Sequence, residues 1–203
     1  MRRLAAAVPA LIALLAFVPA ANAHGFRPAG PAEGIRIESL THGQMAVLAR
    51  YRGQIMNLAA SRTDTDEPFR RVMNYASIQF SVCLWGLAPG AISDEASPFN
   101  ECAHAYLAAT RSVLMRMQAM AGPHPRVDAL ASRIDADMVR NRASLVLCQF
   151  SDEAYHTGSV VYPHWPGAFS HPPSLAALGA LGCVVAGGFF AMARPVRRRP
   201  PSA

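Results

Sequence analysis

Three thiols and a thioether stand on the positions where this chain could do chemistry. Cys83, Cys102, Cys148 and Met45 all fall on apolar stripes that face one interior. Soft sulfur donors of this kind suit copper(I). Thiols in an exported protein meet an oxidising environment, however, where a disulfide is the plainer product. Cys83 closes one helical segment and Cys102 opens the next, so they are the preferred pair. A bridge there contributes about 3 kcal/mol by closing the intervening loop. Cys148 is then left over as a free thiol. No C-x-x-C spacing supports the metal reading of these thiols.

Histidine offers a second donor set. Cleavage of a signal peptide after Ala23 would expose His24, whose amino group and imidazole can both bind one copper ion. A second histidine, from His42, His156, His164 or His171, would complete a brace of the kind found in copper monooxygenases and periplasmic copper carriers. Those families carry it on β-rich folds, and the helical pattern here argues against membership. The ligand set expected from sequence is therefore His24, His42, Met45 and Cys148. In Cys102-Ala-His104 the two donors lie two residues apart on a helix and point roughly 200° apart. With Cys102 facing the core, His104 reads as a surface or rim residue. Met117 and Met120 read as core filler, with Met115 turned aside.

These donors must be positioned by elements whose ends carry their own signals. Arg2 and Arg3, the apolar run Leu4 to Val18 and Ala21-Asn22-Ala23 together read as a secretory signal peptide over residues 1–23. At the other end, Leu175 to Ala193 carries no charge and spans about 28 Å as a helix, one hydrocarbon core. Arg194, Arg197, Arg198 and Arg199 follow it, which favours the cytoplasmic side. Gly179, Cys183 and Gly187 give the span a small-residue face where another helix could approach, and Cys183 reads as a packing residue.

Between these ends the periodicity predicts four helices. Thr41 and Gln44 form a capping box, with Leu40 and Met45 as its hydrophobic staple, for a helix to about Ala60. Asp66 and Pro68 start a second, with the stripe Phe69, Met73, Ala76, Phe80 and Cys83. Ser97-Pro98 start a third, with Phe99, Cys102, Tyr106, Thr110, Val113, Met117 and Met120 inward. The fourth begins near His124-Pro125 and is expected to reach about Phe150, carrying Leu145 and Cys148 on its core side. Short connections imply antiparallel neighbours. The expected fold is therefore all-α: an exported up-down-up-down four-helix bundle over 41–150, with a leader at 24–40. A connector at 151–173, a transmembrane helix at 174–193 and a basic tail at 194–203 complete the chain. This alternation would bring Met45, Cys83, Cys102 and Cys148 to the membrane-near end.

The connector is rich in Pro, His and aromatics, and Tyr162, Trp165 and Phe169 read as an interfacial aromatic belt. The net charge of +6 does not mark a nucleic-acid binder. All 19 basic residues are arginines; two lie in the signal peptide and four in the tail, which leaves 13 against 13 Asp plus Glu. There is no C-x-x-C-H haem attachment, no H-E-x-x-H, no G-x-S-x-G and no glycine-rich phosphate loop. The expected function is a non-enzymatic accessory or interaction module. It would sit single-pass in the cell inner membrane with its main domain in the periplasm. There it would serve copper handling or assembly of a membrane redox complex beside a membrane-protein partner or a second copy. The competing expectation is a redox protein or enzyme that holds copper, or noncovalent haem, through His24 and the membrane-near Cys, His and Met residues.

Overall fold

The structure is a computed structural model that describes residues 34–84, 88 and 90–193. The expected signal peptide, His24 and the arginines at 194–199 lie outside the described residues.

The described chain is mostly helical. Helix α1 (His42–Ala60) starts as its sequence requires: Thr41 Oγ1 accepts from Gln44 N, and the Gln44 side chain returns a bond to the Thr41 N–H. Helix α2 (Glu67–Val82) starts at Asp66, whose carboxylate accepts from Phe69 N at 2.7 Å. Helix α3 (Asn100–Ala119) begins later than the sequence suggests. Ser97, Pro98 and Phe99 form a turn in which Ser97 O accepts from Asn100 N, and no side chain caps the helix. Helix α4 (Pro125–Arg140) has its proline at the first position, where the missing N–H costs nothing.

Two expectations fail in the next stretch. Helix α4 does not continue to Phe150. It stops at Arg140; Asn141 donates to Asp137 O from both its backbone and its side chain, and Arg142 takes the left-handed conformation with φ 49°. That geometry ends a helix, but glycine usually supplies it, so an arginine there gives no warning. The chain then turns through a 3₁₀ segment, Ala143–Leu145, and Leu145 is exposed instead of buried. Cys148 accordingly sits on a loop and not on a helix face.

The chain is also not wholly helical outside its loops. Strand β1 (Arg36–Ile37) pairs antiparallel with β2 (Tyr155–His156), Arg36 opposite His156 and Ile37 opposite Tyr155. Two residues per strand are too short to announce themselves by alternation. The pair ties the connector back to the segment just before α1, and Gln79 extends the tie from α2, accepting from Val161 N and donating to Val161 O.

Helix α3 is the centre of the packing, in contact with α1, α2 and α4. Every residue from Cys102 to Thr110 is buried. The core around it includes Met45, Leu48 and Ile55 of α1, Phe69, Val72 and Ala76 of α2, and Leu130 and Ile134 of α4. After a 3₁₀ turn at Trp165–Phe169, helix α5 (Pro172–Ala193) follows. Its residues Pro172–Phe190 are long and apolar enough to cross a membrane, and only 6% of that stretch is buried within the protein.

Candidate metal centre

Cys83 and Cys102 are paired at disulfide distance, with Cα atoms 5.7 Å apart, so the end of α2 is pinned to the start of α3. Both cysteines are fully buried. This pairing takes two thiols out of any metal site and leaves Cys148 and Cys183 free.

Cys148 does not stand alone. Its Sγ lies 3.1 Å from Nε2 of His104, and ligand atoms of His42, His104 and Cys148 all lie within 4.8 Å of one another. The three residues come from the first turn of α1, the first half of α3 and the loop after α4. Of the residues expected from sequence, His42 and Cys148 are brought together. Met45 is fully buried one turn along α1 from His42, on the same helix face. His24 lies outside the described residues. His156 is in β2, the backbone N–H of His164 donates to Pro98 O, and His171 bonds Asp94 and Ser174.

His104 is the residue sequence reasoning misplaced. It is fully buried and not at a rim. Cys102 turns toward α2, where it meets Cys83, and His104, two residues on, turns away from it. Away from α2 is not toward water here, because α3 is packed on all sides from Cys102 to Thr110. On that side His104 meets His42, with ring centroids 5.9 Å apart, and Phe150 at 5.8 Å. Cys102-x-His104 was the available signal, and the unbroken small or apolar run Ala103 to Ala109 around it was the hint of burial.

Local contacts explain how the loop presents Cys148. The Thr41 hydroxyl donates to Ala143 O at 2.6 Å, and Gly43 N donates to Val146 O at 3.0 Å. Gly43 permits this approach, since a Cβ there would lie 2.4 Å from Ala143 O. Beyond it, Cys148 N donates to Ser151 Oγ at 2.8 Å, while the Ser151 hydroxyl donates to Cys148 Sγ at 3.6 Å. Ser151 thus fixes the thiol and offers a donor to its sulfur.

The electrostatics favour ligation. Burial, with the neighbouring His42 as a lesser cause, holds His104 down to about 4, so its imidazole is neutral and can give a lone pair at neutral pH. Among the described residues, Nδ1 of His104 and Nδ1 of His42 are buried without a hydrogen-bond partner. Nε2 of His124 and Nδ1 of His156 are unpartnered in the same way, so it is the convergence of the three donors, and not the unpartnered nitrogens, that marks this site. Nearby, burial and then the charge of Glu153 push Glu101 above the usual carboxylate range, with His164 opposing. Burial, with Glu153 and Glu101 behind it, also raises the Tyr155 hydroxyl.

No protein-family model matches the chain, and neither a curated protein nor a solved structure shows significant similarity to it.

Proposed function

We propose that this protein is a membrane-anchored, exported metal-binding module that holds one copper ion through His42, His104 and Cys148. The observation that carries the reading is the convergence of these three donors from distant parts of the chain to within 4.8 Å. Two imidazoles and one thiolate form a borderline-soft set. Met45, buried on the His42 face of α1, is the available thioether for a weak fourth contact, and that combination is the one copper favours over harder cations. The same His₂Cys set can bind zinc with an open position, so the metal identity is part of the test.

In this reading residues 1–23 are a cleaved signal peptide, the helices form an up-down-up-down bundle, and α5 is the single span of the cell inner membrane. The domain stands in the periplasm with the copper site at its membrane-near end. An ion held by few donors, beside a membrane anchor, suits transfer to a membrane partner, as in copper handling or assembly of a redox complex. We infer an accessory role and not an enzyme. The second reading is a copper redox protein using the same donors; reversible oxidation and reduction of the bound copper, followed through a thiolate-to-copper(II) charge-transfer band, would distinguish it.

The test is metal content of the full chain, purified in mild detergent with its native N-terminus and loaded separately with copper(I) and zinc(II). One copper per chain, lost in Cys148→Ser, supports the proposal. Retention of copper by Cys148→Ser, or no copper in the parent protein, overturns it. An absorption spectrum of the protein as isolated separates the haem alternative.

A further inference from the structure

Exposed large apolar side chains in the described domain are not spread evenly. Ile78, Leu84, Met115 and Val139 stand singly, whereas Leu145, Val146 and Leu147 are consecutive and 75%, 47% and 62% exposed. Isolated apolar residues on a surface are ordinary; a contiguous apolar tip on a tethered loop marks an interaction site. Two exposed arginines precede it. Arg140, 75% exposed, makes a peripheral contact with Asp137, and Arg142 occupies the left-handed turn that aims the tip. Asp152 and Glu153 follow on the far side of Cys148.

The tip has a fixed place in the fold. Gly43 N to Val146 O holds it against the first turn of α1, and the His42–His104 ring contact sets that turn beside α3. The start of α3 in turn carries the connector. His164 N donates to Pro98 O, and Trp165 meets Phe99 edge-on at 5.4 Å. Tyr162, Trp165 and Phe169 there are 68%, 47% and 73% exposed, and α5 begins three residues after Phe169. The apolar tip therefore shares one end of the domain with the aromatics and the root of the apolar helix.

We propose that Arg140–Leu147 is a second membrane contact: Leu145, Val146 and Leu147 enter the interfacial layer of the bilayer while Arg140 and Arg142 engage anionic phospholipid headgroups. The inference rests on reading α5 as a membrane span. Apolar side chains beside cationic ones are what a surface-seated segment needs, the first for the acyl boundary and the second for phosphate. With α5 as one attachment and this tip as another, the domain cannot swivel freely on its tether. Cys148, the residue after Leu147, is then held at the lipid surface.

Single-tryptophan reporters test this in the full chain, reconstituted into vesicles of phosphatidylglycerol and phosphatidylcholine with brominated acyl chains. One variant carries Leu147→Trp with Trp85→Phe and Trp165→Phe; a companion carries only Trp85→Phe and so reports from Trp165. Leu147 is exposed, so the larger ring needs no room in the core. The expected result is bromine quenching and a blue shift at position 147 comparable to those at Trp165. Quenching at 147 should also weaken when phosphatidylglycerol is omitted or when Arg140→Gln and Arg142→Gln are added. Quenching at Trp165 without quenching at 147 overturns this inference and leaves the span reading intact. Quenching at neither overturns both. A blue shift at 147 without bromine quenching assigns the tip to a protein surface and overturns the lipid assignment.

Discussion

Nε2 of His104 lies 3.1 Å from Sγ of Cys148, although 44 residues separate them. The imidazole comes from the interior of the central helix and the thiol from a loop that Gly43 and Ser151 hold in place. The contact joins a neutral, buried base to a free thiol beside a second histidine, and most of the expected behaviour follows from it.

Removing the thiol should remove the ion. Cys148→Ser is expected to lower copper affinity by at least tenfold, as loss of a ligand or of its support commonly does. In the parent protein, copper at about 100 times its dissociation constant should add about 2.7 kcal/mol of stability. Thermal unfolding with and without copper checks both: at the same copper concentration the rise should be at least about 1.3 kcal/mol smaller in Cys148→Ser than in the parent.

The buried imidazole should make the metal-free domain sensitive to acid. His104 is held down to about 4 when folded and returns to about 6.5 when unfolded. Between those values the unfolded chain takes up a proton that the folded chain refuses. Its contribution is therefore intact above about pH 6.5 and is lost as pH falls toward 4. The shift corresponds to roughly 3 kcal/mol at its full extent. Urea unfolding at pH 7 and pH 4.5 should show the loss, and His104→Gln should flatten the slope across that window.

Gly43 should tolerate no side chain. A Cβ would meet Ala143 O at 2.4 Å and Ala143 Cα at 2.9 Å, both backbone atoms that cannot swing aside. Gly43→Ala is expected to cost about 1–3 kcal/mol, as overpacking does, and to weaken copper binding by displacing the loop that carries Cys148. Gly53, on the same helix, has nothing within 4 Å of its would-be Cβ, so Gly53→Ala is the control that should do neither.

The disulfide should matter to stability and not to the ion. Replacing Cys83 and Cys102 together by alanine is expected to cost about 3 kcal/mol through the freed loop. Copper stoichiometry should stay unchanged at temperatures where the double variant is folded. Loss of the ion from the folded double variant would mean that these sulfurs, and not Cys148, supply the site.

Gln79 should anchor the connector. Its side chain is fully buried and satisfies both backbone groups of Val161. Gln79→Leu leaves those two groups unpaired and is expected to cost about 1–3 kcal/mol. Hydrogen exchange at Val161 should accelerate more than exchange in α3.

Local chemistry determined what the sequence makes legible without a fold. The Thr41–Gln44 capping box, the Asp66 cap and the prolines at helix starts act within one turn, so residue order alone announced α1, α2 and the start of α4. Charge-free length did the same for α5, because apolar extent is a property of the segment itself. The preference for Cys83 with Cys102 was also legible, since each flanks the same helix-to-helix connection.

Tertiary structure alone decided which donors meet. Arg142 in a left-handed conformation ended α4 early, and no local preference of arginine announces that. Only the resulting loop, fitted against Gly43, carries Cys148 to His104. Burial of His104 was likewise a decision of its neighbours: one helix fixes where a side chain points, but the elements packed around it fix whether water or another ligand waits there. Periodicity has no term for a third and fourth surface closing over the same helix, and the His42–His104–Cys148 cluster is built from those surfaces.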